Sequence, residues 1–385
     1  MSRTDKHIGL YIHVPFCLRR CSYCDFYSLT DTRKERVEAY VESVKESLAA
    51  WSPSCRGHLV GTIYFGGGTP AMLGRYICDI IEEIRSHFEL ADQIEITVEA
   101  NPGSLSGDIV GEWVEAGVNR ISLGVQSFDK DALKLLGRSH TVDDTMRALA
   151  LLDEHEVAVS IDLMCGIPNQ DQDAWRAQLE MGIACDPDHL SIYPLTFEEG
   201  TDLAQRVASE AIIAPDADEV ALQMEMARDL LTDDGYHHYE VANYAKPGRE
   251  SRHNLGYWQA VPYVGIGSAA ASMLNCEDGS RIRGINHASL DAFLGDPQRV
   301  EATRFDEVEI LSAEEAARED LMLGMRLMQG VDAVPVRQTG LEDVFEQLCG
   351  AGLVRRCGDP GRYQPTPAGW LLGNEIYGAI WNQSR

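Results

Sequence analysis

Six short runs rich in β-branched and other apolar residues recur in the first half of the chain: "GLYIHVPF" from Gly9, "GTIYFGG" from Gly61, "IEITVEA" from Ile94, "RISLGVQ" from Arg120, "VSIDLMCG" from Val159 and "LSIYPL" from Leu190. Stretches of helical period separate them, among them "RKERVEAYVESVKESLAAW", "RYICDIIEEIRSHF" and "DAWRAQLEMGIA". Parallel strands need a crossover between them, and a helix is the usual one. Strict alternation therefore predicts a parallel α/β sheet with right-handed connections. The runs are mainly apolar, the pattern expected of strands covered on both faces. Six units over about 200 residues fit a partial (β/α)6 barrel, short of a full eightfold one.

Polar residues and glycines gather at the C-terminal ends of these runs: Gly66-Gly67-Gly68-Thr69-Pro70 after the second, Glu99 and Asn101 after the third, Gln126 and Ser127 after the fourth, Asp162 within the fifth and Tyr193 at the sixth. In a barrel that rim is where sites are built. Residues 1–200 are thus read as the barrel. From 201 to 300 the pattern turns mixed α+β, with a helix ("DEVALQMEMARDLLTDDG"), a strand-like "YHHYEVANYA" and a glycine-rich irregular stretch. From 301 to 385 an acidic segment leads into an amphipathic helix, then "LEDVFEQLCGAGLV" as a helix and "RRCGDPGRYQPT" as a hairpin around Gly-Asp-Pro-Gly. Helix then wing suggests a small winged-helix-like cap. It lacks the basic face that DNA binding needs.

Charge excludes some partners. With 33 Lys+Arg against 61 Asp+Glu, a formal net charge of −28, the mean field repels a nucleic-acid backbone or an anionic lipid surface. No secretory leader and no long apolar run is apparent, so a soluble cytoplasmic protein is expected. In a reducing compartment the ten cysteines are not expected to form disulfides.

Three of them stand apart. Cys17, Cys21 and Cys24 fall in "FCLRRCSYCDF" with spacing C-x3-C-x2-C. A tetrahedral zinc site would need a fourth ligand, for which His13 and Asp25 are the nearest candidates. Three thiolates on one loop fit a 4Fe-4S cluster better, leaving one iron open to an exchangeable ligand. Several other motifs carry less. "GIGSAA" from Gly265 reads as a tight loop, since no strand-turn-helix unit surrounds it. "GGGTP" lacks the Gly-Lys-Ser/Thr ending of a nucleotide P-loop. The acidic run near Glu301 reads as a solvated helix face and linker.

On the cysteine spacing after the first strand, together with the ordered rim residues, the sequence resembles the radical S-adenosylmethionine (SAM) superfamily. That resemblance implies that the open iron chelates the amino and carboxylate groups of SAM, which the cluster's electron cleaves to a 5'-deoxyadenosyl radical. It also implies roles at the rim. Gly67 and Gly68 match the glycine-rich edge that approaches the methionine moiety, with Thr69 adding a hydroxyl. Glu99 matches the strand-three carboxylate, Gln126 and Arg138 the polar contacts to the cofactor, and Asp162 the ribose-binding carboxylate. Tyr11 occupies the place of a tyrosine near the cluster, and Tyr23 lies inside the loop. No catalytic residue is assigned.

Within the superfamily, "YIHVPFC", "FGGGTP", "GVQSF", "GRSH" and "DLMCGIP" resemble the oxygen-independent coproporphyrinogen III oxidase group along nearly the whole chain. The oxidase branch carries a further cysteine two positions after the third, where this sequence has Phe26, and a longer N-terminal arm. The haem-chaperone branch of HemW type carries phenylalanine there and an H-N-x-x-Y-W segment, matched by "HNLGYW" from His253 to Trp258. This branch implies a cluster, SAM and haem as cofactors, an acceptor haemoprotein as partner, and a homodimer. His253 is its candidate haem ligand, with His13, His140, His237 and His238 as competitors. The alternatives are oxidative decarboxylation of coproporphyrinogen III and, more weakly, radical chemistry on haem itself.

Overall fold

The computed structural model describes residues 7–302, 305–358 and 361–382. The chain alternates as the sequence pattern predicts: β1 (His7–Val14), α1 (Lys34–Trp51), β2 (Leu59–Gly67), α2 (Tyr76–His87), β3 (Leu90–Ala100), α3 (Gly107–Glu115), β4 (Arg120–Gln126), α4 (Lys130–Leu135), α5 (Val142–Asp153), β5 (Ala158–Cys165), α6 (Gln172–Ala184) and β6 (His189–Pro194). β1 to β6 are parallel neighbours in chain order.

Side chains alternate across a strand, so positions two apart share a face. On β4 and β5 the set Ile121, Leu123, Val125, Ile161 and Leu163 is fully buried beneath the helices, against Trp113 of α3 and Trp175 of α6. Each such side chain contributes about 1.5–3 kcal/mol through burial. The other set faces inward and is polar: Ser122, Gly124 and Gln126 on β4, Ser160 and Asp162 on β5, and His189, Ser191 and Tyr193 on β6 all line one cavity. The expectation of apolar cover on both faces is corrected here. A sheet curved round a polar cavity needs only one apolar face.

The sheet does not end at β6. After α7 (Asp202–Ala208) and α8 (Ala217–Asp233), the strand-like "YHHYEVANYA" divides into β7 (His237–His238) and β8 (Asn243–Ala245), and β8 pairs antiparallel with β6. The "HNLGYW" segment lies in a short helix, α9 (Arg252–Trp258). β9 (Tyr263–Ile266) then pairs parallel with the free edge of β1. β10 (Ala271–Asn275), β11 (Arg281–Ile285) and, after α10 (Leu290–Gly295), β12 (Glu307–Leu311) extend that edge antiparallel into a 12-stranded sheet. "GIGSAA" is the tight β9–β10 connection that the sequence suggests. β12 lies past position 300 yet pairs with β11, so hydrogen bonds cross the boundary expected there.

The remaining residues form a second core: α11 (Ala313–Gly324), β13 (Val331–Asp332), α12 (Ala333–Gln338), α13 (Glu342–Gly350), β14 (Val354–Cys357), β15 (Arg362–Pro365), α14 (Pro367–Leu371) and α15 (Gly373–Trp381). α13 followed by the β14–β15 hairpin gives the helix and wing. Asp359 and Pro360 of the hairpin turn, and Thr303 and Arg304 of the acidic segment, lie outside the described residues. Among the described residues no helix is long and apolar enough to cross a membrane.

Candidate metal and cofactor site

The loop between β1 and α1 carries Cys17, Cys21 and Cys24, and backbone hydrogen bonds pin it to the C-terminal rim of the sheet. Gly68 N donates to Val14 O (2.8 Å) and Thr69 N to Phe16 O (2.8 Å). Farther along, Ser22 N donates to Leu136 O (3.0 Å) and its hydroxyl to Leu135 O (2.8 Å) at the C-terminal end of α4, whose last carbonyls have no partner within the helix. All three cysteines are free and half-buried. They line a cavity of about 670 Å³ together with the inward side chains of β2 to β6.

Three free thiols on one loop are the donor set that a cubane with one open iron would take. Burial pushes the Cys17 and Cys24 thiols up, so loading a metal must release protons. Gly68 holds open the space beside the first sulfur. A Cβ there would lie 2.8 Å from Phe16 O and 3.1 Å from Cys17 Sγ. Gly67 has φ +108, a region costly for any other residue, and a Cβ on it would strike the His13 ring at 2.6 Å. His13 is withdrawn as a fourth ligand. Its Nε2 is paired with Tyr27 O (3.0 Å) and its Nδ1 with the Tyr11 hydroxyl (3.1 Å). Among the described residues no three His, Cys, Asp or Glu side chains close on a single-ion site.

The Phe26 backbone hydrogen-bonds to Cys24, and side-chain donors reach the other two sulfurs. Thr69 Oγ1 donates to Cys17 Sγ (3.6 Å) and Arg138 Nη1 to Cys21 Sγ (3.5 Å). Arg138 Nη2 also donates to Gly124 O (2.7 Å) and to Asn101 Oδ1, while Asn101 Nδ2 donates to Thr69 Oγ1 (3.0 Å).

Of the four acidic residues on the cavity wall, Asp25 and Glu198 are exposed, while Glu99 and Asp162 sit deeper. Glu99 accepts from the Tyr64 hydroxyl (2.8 Å) and from Gly67 N (3.2 Å), and burial, reinforced by the Asp162 charge, pushes it up to about 7. Asp162 is also raised by burial, against the pull of hydrogen bonds from Ser191 and Ser122. Gln126 has φ 66 at a bulge in the β4–β5 register, a left-handed conformation that non-glycine residues enter at a cost of order 1 kcal/mol. That twist keeps its side chain on the cavity wall while Ser127 turns outward to Gln178 Oε1 (2.9 Å).

The structure therefore gathers Cys17, Cys21, Cys24, Gly67, Gly68, Thr69, Glu99, Gln126, Arg138 and Asp162 around one cavity, with Tyr23 among them. Tyr11 and His253 are not on its lining. Tyr11 lies beside it in an aromatic layer, ring centroids 6.2 Å from Tyr64 and 6.4 Å from His253. His253 is buried, and burial pulls its imidazole down to about 3. Both of its nitrogens are in use: Nδ1 with Thr62 Oγ1 (2.8 Å), Nε2 with the Tyr257 hydroxyl (2.9 Å). It offers no free nitrogen to an iron, and its place is that of a packing residue between α9 and β2. Of its competitors, His140 gives Nε2 to Val125 O (3.1 Å), and His238 stacks on Tyr244 at 4.4 Å.

Sequence reasoning missed Tyr64, Ser122, Ser160, His189 and Ser191 as cavity residues. The signal was present as a period of two: Ser122-x-Gly124-x-Gln126, Ser160-x-Asp162 and His189-x-Ser191-x-Tyr193.

The sequence profile of the radical SAM superfamily matches residues 11–181. The heme chaperone HemW of Escherichia coli (strain K12) is 35% identical over 377 residues, covering 96% of this chain and 97% of its own length. The heme chaperone HemW of Lactococcus lactis is 32% identical, covering 97% of each. Among solved structures, the coproporphyrinogen III oxidase HemN of Escherichia coli, described as a radical SAM enzyme, superposes with a TM-score of 0.82 at 22% identity, covering 99% of this chain and 92% of that one. The fold is therefore HemN-like. Its glycine edge, its three-thiol loop and the inward polar side chains of β4 and β5 lie within the matched residues, and the full-length relatives narrow the assignment: this chain belongs to the HemW family of the radical SAM superfamily.

Proposed function

We propose that this protein is a haem chaperone that carries a 4Fe-4S cluster on Cys17, Cys21 and Cys24, binds SAM at the cluster's open iron, and passes haem to an acceptor haemoprotein. The observation that carries the proposal is the end-to-end match to proteins named heme chaperone HemW, on a chain whose three free thiols face one cavity. Bound there, the cluster and SAM would supply an exchangeable iron position and one-electron chemistry. The chain's own residues do the rest. The backbone at Gly67 and Gly68 gives a bare edge for the methionine end, Asp162 is held by two serine hydroxyls as an acceptor for ribose, and Glu99 and Gln126 add polar contacts across the cavity.

A second reading, decarboxylation of coproporphyrinogen III, draws on the same fold, which by itself does not select a substrate. Phe26 favours the chaperone. It replaces the additional cysteine of the oxidase branch and stands 66% exposed at the cavity mouth. The test is anaerobic. The cluster is reconstituted, then haem uptake is followed by absorbance, haem transfer to an apo-haemoprotein is measured, and product is sought with coproporphyrinogen III and SAM present. Stoichiometric haem uptake and transfer without decarboxylated product supports the proposal. Catalytic product formation overturns it.

A further inference from the structure

We propose that Asn101 is a positioning residue that aims the two hydrogen bonds received by Cys17 and Cys21, and so sets the reduction potential of the cluster; this rests on the cluster reading above. Its backbone is engaged elsewhere. Asn101 N donates to Ser104 Oγ (3.2 Å), whose hydroxyl donates back to Asn101 O (2.7 Å), and Pro102 follows. The side chain is left free for the cavity, and both ends of its carboxamide are used.

Arg138 fixes the orientation of the amide. A guanidinium only donates, so the atom facing Arg138 Nη2 must be the amide oxygen, and the NH2 must face Thr69 Oγ1, 3.0 Å away. Thr69 Oγ1 then accepts from Asn101, which leaves its own proton for Cys17 Sγ at 3.6 Å. On the other arm, holding Nη2 at Asn101 and Gly124 O presents Nη1 to Cys21 Sγ at 3.5 Å. Arg138 Nε is buried without a partner, so the guanidinium is oriented through its two terminal nitrogens. One amide thus links the donors to two thiols.

Hydrogen bonds to cluster sulfurs favour the more negative, reduced state and raise the potential. Losing one arm should shift the reduction equilibrium about tenfold, which for a one-electron couple is about 59 mV. Three variants separate the arms. Asn101→Ala frees the Thr69 hydroxyl and leaves Arg138 Nη2 held by Gly124 O alone. Thr69→Val removes only the donor to Cys17. Asn101→Asp keeps an acceptor for Arg138 but draws the Thr69 proton to its carboxylate.

The full chain is reconstituted anaerobically, iron and sulfide are counted, and the midpoint potential is read by electron paramagnetic resonance during a redox titration. A wild-type chain that loads no cubane refutes the cluster reading. With the wild type loaded, the expected result is a lower potential in all three variants, largest in Asn101→Ala, with Thr69→Val adding less in the Asn101→Ala background than alone. Fully loaded variants with unshifted potentials overturn the assignment of Asn101 and leave the cluster reading standing. Should Asn101→Ala fail to load, Asn101→Asp and Thr69→Val decide by the same criterion.

Discussion

Replacing Glu99 by glutamine changes how stability depends on pH, and the structure gives both sign and size. Glu99 is pushed up from 4.5 to about 7 by burial, with Asp162 adding to the shift. In the unfolded chain it ionises near its ordinary value of about 4.3. Between those pH values the native state holds a proton that the unfolded state has lost, so stability falls as pH rises. Its contribution is complete below the unfolded value and is lost as pH climbs through about 7. At about 1.4 kcal/mol per unit, the full loss is roughly 3.5 kcal/mol, most of it above pH 4.5. Glutamine does not titrate. Its oxygen can still accept from Tyr64, while its NH2 meets Gly67 N, a mismatch that lowers stability equally at every pH. Denaturant unfolding of SAM-free protein from pH 4.5 to 8.5 should therefore show wild type losing roughly 3 kcal/mol relative to the variant across that range. Glu240, also raised to about 7 but not among the groups that shift Glu99, cancels in the difference. A difference independent of pH would refute the reasoning.

Gly68→Ala should cut bound iron by half or more after reconstitution, because its Cβ meets the carbonyls of Phe16 and Val14 at 2.8 and 2.9 Å. Gly350→Ala, where a Cβ meets nothing within 4 Å, is the control. Gln126→Gly relieves the φ of 66 and should raise unfolding stability by roughly 0.5–1 kcal/mol while weakening SAM binding in calorimetric titration. His253→Phe strands the Thr62 and Tyr257 hydroxyls and should cost about 2 kcal/mol in denaturant unfolding, yet leave haem stoichiometry by absorbance unchanged. Loss of haem with unchanged stability would restore His253 as a ligand.

The alternation of strand and helix was legible because each periodicity is local, and the three cysteines because their spacing is. The rim residues were legible as strand ends. What the chain hid were relations between distant segments. Nothing local to Tyr263–Ile266 says that it pairs with β1, more than 240 positions earlier, and a four-residue strand gives little periodic signal. His253 looked ligand-like because its sequence neighbours are Asn, Tyr and Trp, but the partners that occupy its nitrogens include Thr62, 191 positions away. Asn101 was visible at the end of a strand, whereas its link between Thr69 and Arg138 exists only once three loops meet.

The pairing of β1 on both edges has a consequence for biogenesis. β2 covers one edge soon after synthesis, but β9 follows by roughly 250 residues, so at about 5–20 residues per second the other edge stays bare for roughly 10–50 s on the ribosome. An unpaired edge invites pairing with foreign strands. The thiol loop is translated early and pinned by β2 and α4, yet one edge of the strand that leads into it stays open until β9 arrives. Truncation before Tyr263 should leave a nascent chain prone to aggregation.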